Sequence, residues 1–128
     1  FPFEAGNPGP RQIVLPDGSA EKDHILDDSA LVFQGRDGLV IIPGCAHAGI
    51  CNTIEYAKKI CGEDQVQDII GGLHLTKPGP QLDGTVDYLR NLRPAALHAC
   101  HCTSLGAKLA LAGAAPVQEC GVGLQLEF

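Results

Sequence analysis

Gly38-Leu39-Val40-Ile41-Ile42-Pro43-Gly44-Cys45-Ala46-His47-Ala48-Gly49-Ile50 is the stretch on which the reading of this chain turns. Four consecutive apolar residues, Leu39 to Ile42, describe a buried strand. Pro43-Gly44 ends it, and a short loop then carries a cysteine and a histidine. Beyond the loop, Ile50, Ile54, Ala57 and Cys61 recur at i, i+4, i+7 and i+11, which is one face of a helix. The unit is strand, histidine loop, helix.

Two further loops repeat it. Val66–Ile70 reads as a strand that runs into Gly71-Gly72-Leu73-His74-Leu75. Ala95-Ala96-Leu97-His98 reads as a short strand that runs into Ala99-Cys100-His101-Cys102-Thr103. Helices follow both, one through Leu82, Val86, Leu89 and Leu92 up to Pro94, and one through Leu105, Leu109 and Ala112 with Gly113 as its stop. Thr103 or Ser104 is positioned to cap the last helix. Asn52 with Glu55 resembles a capping box on the first, Glu55 and Lys59 form an i,i+4 pair, and Gly62 closes that helix. Ahead of the first unit, Ala30-Leu31-Val32-Phe33 and the turn Arg36-Asp37-Gly38 make a hairpin with Leu39–Ile42. Val117–Glu119 and Val122–Phe128 read as closing strands. The expected order is ββ-α-β-α-β-α-β(β), an α/β fold with a mixed sheet.

Residues 1–29 hold four prolines and are read as a loop-rich lead-in, with one short strand at Gln12–Leu15 and a turn at Pro16-Asp17-Gly18. Residues 30–128 form the domain. The chain contains no methionine and opens Phe-Pro-Phe, so it is read as a piece of a longer polypeptide.

Strands of a largely parallel sheet end on one edge, where ligand sites gather. Histidines 47, 74 and 101 can therefore meet there although some twenty-five residues separate them. Neutral imidazole suits zinc, iron or nickel. Gly44, Gly49, Gly71 and Gly72 allow close approach of the main chain, Thr103 is a hydrogen-bond donor, and the helix N-termini after the His47 and His101 loops favour an anion. His24 has no histidine near it, and His98 lies within a strand; both are read as structural, His98 also as a support to the site. The dense Cys100-His101-Cys102, with Cys45 two residues from His47, offers a competing thiolate site for zinc, although Cys-x-Cys is not the usual structural-zinc spacing.

Of 128 residues, 45% are hydrophobic, and the net charge is −6. That supports one globular domain and argues against nucleic acid as a partner, since phosphate contacts need a basic patch. No apolar run is long enough to span a membrane. Six cysteines in so apolar a chain read as reduced thiols, hence a cytoplasmic protein.

Taken together, Gly38 to Thr53, Ile70-Gly71-Gly72-Leu73-His74-Leu75 and His101-Cys102-Thr103 resemble the metallo-β-lactamase superfamily. Within it the likeness is to the metal-dependent hydrolases of β-lactamase superfamily II, a branch that includes a dihydropterin-type ribofuranosylaminobenzene phosphate synthase. The resemblance runs from about Asp27 to Phe128. It implies an αββα sandwich of two similar halves, of which this chain matches the C-terminal half. The family's His-x-His-x-Asp-His signature belongs to the other half, and no His-x-His occurs here. By resemblance His47 is a ligand of a first divalent metal, zinc with iron or manganese as alternatives, and His101 of a second. An aspartate bridges the metals in many relatives near the position of Gly71–His74. None stands there in this chain, which leaves His74 as ligand or substrate contact. Pro43, Ala46 and Ser104 also depart from the family pattern.

The implied chemistry is hydrolysis or group transfer by metal-activated water, on a small substrate that is phosphorylated or pterin-like. Alone, the chain is expected to bind metal weakly and to lack turnover. The rival expectations are a non-catalytic module that pairs with its missing half or with itself through an exposed sheet, and a Cys/His zinc module.

Overall fold

A computed structural model describes residues 1–4 and 12–128. Its centre is a four-stranded sheet in the order β3-β4-β5-β6. β3 (Ala30–Gly35) and β4 (Gly38–Pro43) form the expected hairpin, with Ala30 opposite Pro43 and Gly35 opposite Gly38. β5 (Val66–Gly71) runs parallel to β4, and β6 (Ala96–Ala99) parallel to β5. The sheet is therefore mixed. Three helices connect or follow its parallel strands: α1 (Ile50–Cys61), α2 (Pro80–Leu92) and α3 (Leu105–Ala112). A separate small hairpin pairs β1 (Gln12–Val14) with β2 (Ala20–Lys22) across the turn at Pro16-Asp17-Gly18. None of the helices is long and apolar enough to cross a membrane among the described residues.

The strand alternation sorts the sheet into two faces. Leu39, Ile41, Ile69 and Leu97 pack under Ile50, Ile54, Ala57, Leu82, Leu89, Ala107 and Leu111, and together these make the core. The opposite face carries Val40, Ile42, Leu31 and Phe33, with Leu31 73% and Phe33 52% exposed. On that same face His98 is buried, and its Nδ1 lies 2.9 Å from the Asp68 carboxylate of the neighbouring strand. It is a structural residue, as its place within a strand suggested.

Four local expectations are corrected. Val117–Glu119 and Val122–Phe128 are not strands: Val117 makes a single bridge to Leu97, and the remainder is irregular. Pro116 has no N–H to offer a ladder, Gly121 and Gly123 interrupt the run, and residues 121–128 are exposed with no buried side to hold a strand. In α3 the buried residues are Ala107 and Leu111, while Leu105 and Leu109 are 72% and 68% exposed. Apolar residues stand on every side of that helix, so spacing did not select a face. Of the two expected caps it is Ser104 that serves, accepting from the Ala107 N–H at 3.2 Å.

The α1 capping box does not form. The N-cap is Gly49, and Asn52 turns back to donate to the Ala48 carbonyl at 2.8 Å. Two first-turn amides, Cys51 and Asn52, instead donate to the carboxylate of Glu4 at 2.8 and 2.7 Å, from a 3-10 turn at Pro2–Glu4. Glu55 pairs with Lys58 at 3.0 Å rather than with Lys59, and accepts the Tyr88 hydroxyl at 2.6 Å. Gly62 closes α1 in the left-handed conformation, as expected.

Candidate metal centre

The three histidine loops leave the same edge of the sheet, at the C-terminal ends of β4, β5 and β6. Main-chain hydrogen bonds knit them together. The Gly72 N–H donates to the Gly44 carbonyl at 3.2 Å, Cys100 N–H to Gly71 at 2.8 Å, and Ser104 N–H to Leu75 at 2.9 Å. Thr103, read from sequence as a donor to a ligand, spends its buried hydroxyl inside the protein, accepting from the Leu73 N–H at 3.2 Å. One residue in each loop holds a left-handed backbone without being glycine: Ala46 (φ 51°), His74 (φ 51°) and Cys102 (φ 50°). Such conformations cost on the order of 1–3 kcal/mol each and persist only where the surroundings enforce them.

The side chains fall into two adjoining groups. The rings of His47 and His74 lie 4.2 Å apart between centroids. Two imidazoles bonded at about 2.0–2.1 Å to one ion put their centroids roughly 5 Å apart, so the observed spacing suits a shared ligand. Burial and the neighbouring His47 hold the His74 ring below the usual histidine range. That favours the neutral form, the one that binds metal.

The second group is Cys45, His101 and Cys102. The Cys45 sulfur is 3.1 Å from His101 Nε2, and the three donor atoms all lie within 4.8 Å of one another. The two groups touch, since the His74 N–H points to the Cys102 sulfur at 3.3 Å. Gly72 forms the floor: a Cβ there would stand 2.6 Å from Cys102 Sγ, 2.7 Å from the Gly44 oxygen and 2.8 Å from His101 Nε2.

Imidazoles and thiols crowded over a glycine floor, in a strained backbone, suit a borderline divalent cation. The three sequence-named histidines thus sit on one rim. His24 is exposed and takes no part. Cys100, read from sequence with His101 and Cys102, is turned away; its sulfur lies 3.1 Å from that of Cys120. Of the thiols named from sequence, Cys45 and Cys102 join His101 and Cys100 does not.

Asp28 was missed. Its Oδ2 accepts from the Ala48 N–H beside His47 at 3.2 Å, and its charge acts on His74. The signal was available: Ala30 pairs with Pro43, so antiparallel register sets residue 28 opposite the His47 loop. The anion site expected at the start of α1 is partly occupied by Glu4, which already accepts from the Cys51 and Asn52 amides of its first turn. Beside the rim a groove of about 450 Å³ opens between β3 and α1, with Asp28, Ala46 and Ala48 at one end and Tyr56 and Ile60 at the other.

No protein-family model matches the chain. Over 95 residues it is 30% identical to the 7,8-dihydropterin-6-methyl-4-(β-D-ribofuranosyl)-aminobenzene-5'-phosphate synthase of Methanocaldococcus jannaschii, covering 73% of this chain and 32% of the synthase. Over 78 residues it is 35% identical to an uncharacterised protein of the same organism, covering 60% of this chain and 28% of that one. The chain thus spans under a third of the length of these curated relatives. A crystal structure of a metal-dependent hydrolase of the β-lactamase superfamily superposes with a TM-score of 0.80 at 29% identity, covering 89% of this chain and 45% of the hydrolase. In fold, therefore, the chain matches about half of a metal-dependent hydrolase of the metallo-β-lactamase superfamily, with sequence similarity along the same stretch.

Proposed function

We propose that this chain supplies the C-terminal half of a metal-dependent hydrolase or transferase, with His47, His74 and His101 on the metal-binding rim. The observation that carries the reading is the convergence of three separate loops, each led out by its own strand, on one cluster of imidazoles and thiols. A divalent ion held there would acidify water and stabilise negative charge on a carbonyl or phosphoryl oxygen. The protein's own part is to hold His47 and His74 side by side, with the His74 ring kept below the usual histidine range, and to fix the rim through Gly72 and Thr103. Asp28 orients the His47 loop through the Ala48 amide.

The groove next to His47 is of a size that suits a small molecule. Similarity to the synthase supports a phosphorylated or pterin-like substrate. Zinc is the favoured ion on donor chemistry, ahead of iron or manganese. Six cysteines, none in a disulfide, support a reducing, cytoplasmic setting.

Three imidazoles do not complete two metal shells, so metal binding by the chain alone is weak and turnover is absent. The exposed Leu31, Phe33 and Ile42 face favours pairing with the complementary half. A second reading, a self-associating module without catalysis, draws on the same face. Zinc titration by calorimetry tests the first reading. Weak binding that His47→Ala combined with His101→Ala abolishes supports it; affinity unchanged by those substitutions refutes it. Sizing of the chain in solution separates self-pairing from a monomer awaiting its other half.

A further inference from the structure

Resting on the metal-dependent reading above, we infer that Cys45, His101 and Cys102 together hold one borderline divalent ion, zinc by preference, through two thiolates and one imidazole. The cluster draws on loops far apart in sequence. Cys45 comes from the β4–α1 loop, His101 and Cys102 from the β6–α3 loop, and the floor is Gly72 of the β5–α2 loop. Their donor atoms already lie within 4.8 Å of one another, and Cys45 Sγ is 3.1 Å from His101 Nε2.

Zinc–sulfur bonds of about 2.3 Å in a tetrahedron set two sulfurs roughly 3.8 Å apart, so closing on an ion requires shifts under about 1 Å. Among the described residues no carboxylate belongs to the cluster, and the two sulfurs make it a soft site. Three protein ligands leave a fourth position for water or substrate, the arrangement of reactive rather than closed structural zinc. Gly72 is required because any Cβ there would collide with both a sulfur and the imidazole. His47 and His74 then lie beside this ion as a separate imidazole pair, joined to it through the contact of the His74 amide with Cys102.

The test is cobalt(II) titration of the full chain under a thiol-free reductant. A thiolate-to-cobalt charge-transfer band is expected for the wild type. It weakens in Cys45→Ser and in Cys102→Ser, vanishes in the double variant, and survives in Cys61→Ser. Zinc affinity of the double variant falls by about 100-fold or more, beyond the 10–100-fold typical of losing an outer partner.

Cobalt bound with no charge-transfer band overturns the thiolate site and leaves the metal-dependent reading standing. A band that persists in the double variant overturns it likewise, since other sulfurs would then be the ligands. No cobalt bound at all overturns both. Zinc-edge X-ray absorption on the wild type decides even where a variant fails to fold. Two sulfur scatterers at about 2.3 Å are expected, and none would refute the site.

Discussion

Replacing Gly72 with alanine probes loop convergence without any metal. The new Cβ would meet Cys102 Sγ at 2.6 Å, the Gly44 oxygen at 2.7 Å and His101 Nε2 at 2.8 Å. The sulfur and the imidazole can rotate away. The Gly44 oxygen cannot, because it is main chain and already accepts the Gly72 N–H. Overpacking of this kind costs about 1–3 kcal/mol. For a chain of this length each kcal/mol moves the melting temperature by roughly 4 °C, so a fall of about 4–12 °C is expected. Gly106→Ala is the control. It lies in α3, and a Cβ added there would have open space, with no atom within 4 Å. Helix propensity there favours alanine by about 0.5–1 kcal/mol, a rise of about 2–4 °C. Thermal unfolding followed by circular dichroism reads both. A Gly72→Ala chain as stable as the wild type, with Gly106→Ala behaving as expected, would refute the close approach of the first and third loops over Gly72.

Other outcomes follow from particular contacts. Glu4→Ala removes the carboxylate that accepts from the Cys51 and Asn52 amides; stability falls by about 1–2 kcal/mol in denaturant titration, and an unchanged midpoint would show the cap to be idle. Tyr88 is half-buried and hydrogen-bonded to Glu55, and burial first, then that carboxylate, pushes its hydroxyl well above the ordinary tyrosine value. The fold favours the neutral phenol, so stability is intact below about pH 10, the unfolded tyrosine value, and is lost as pH rises beyond it. Tyr88→Phe should flatten that alkaline decline; a decline of the same steepness contradicts the assignment. The Cys100 and Cys120 sulfurs lie 3.1 Å apart, so mild oxidation with glutathione disulfide should yield a Cys100–Cys120 crosslink in peptide mapping, ahead of any involving Cys51 or Cys61. In α3, Leu111→Ala should cost about 2–5 kcal/mol and Leu109→Ala well under 1 kcal/mol, because only Leu111 is buried.

The strand–loop–helix units were legible because their signals are local. Leu39–Ile42 is a short apolar run broken by Pro43-Gly44, and Ile50, Ile54 and Ala57 keep one helical face. Three such units in succession imply parallel strands with a common edge, and from that edge the meeting of His47, His74 and His101 follows. What stayed hidden depends on pairing between distant segments. Glu4 reaches α1 from 47 residues away and displaces the local capping box. Cys45, Cys100 and Cys102 were all named as possible thiolate ligands, but that Cys45 and not Cys100 meets His101, 56 residues away, is set by the pairing of distant loops. The face of α3 was unreadable because Leu105, Leu109 and Leu111 leave no polar side to orient it. The tail looked strand-like through Val122, Leu124 and Leu126, but among the described residues no neighbouring strand takes its amides.

Loops after β4, β5 and β6 bring their imidazoles and thiols to one rim, and everything proposed for the chain depends on that meeting. Crystals of the chain grown with zinc, measured above and below the zinc absorption edge, test it most directly. The expected result is an anomalous peak bonded to His101 Nε2, on the rim that His47 and His74 share. A peak bound elsewhere, or His47 and His101 facing opposite sides of the sheet edge, would contradict it.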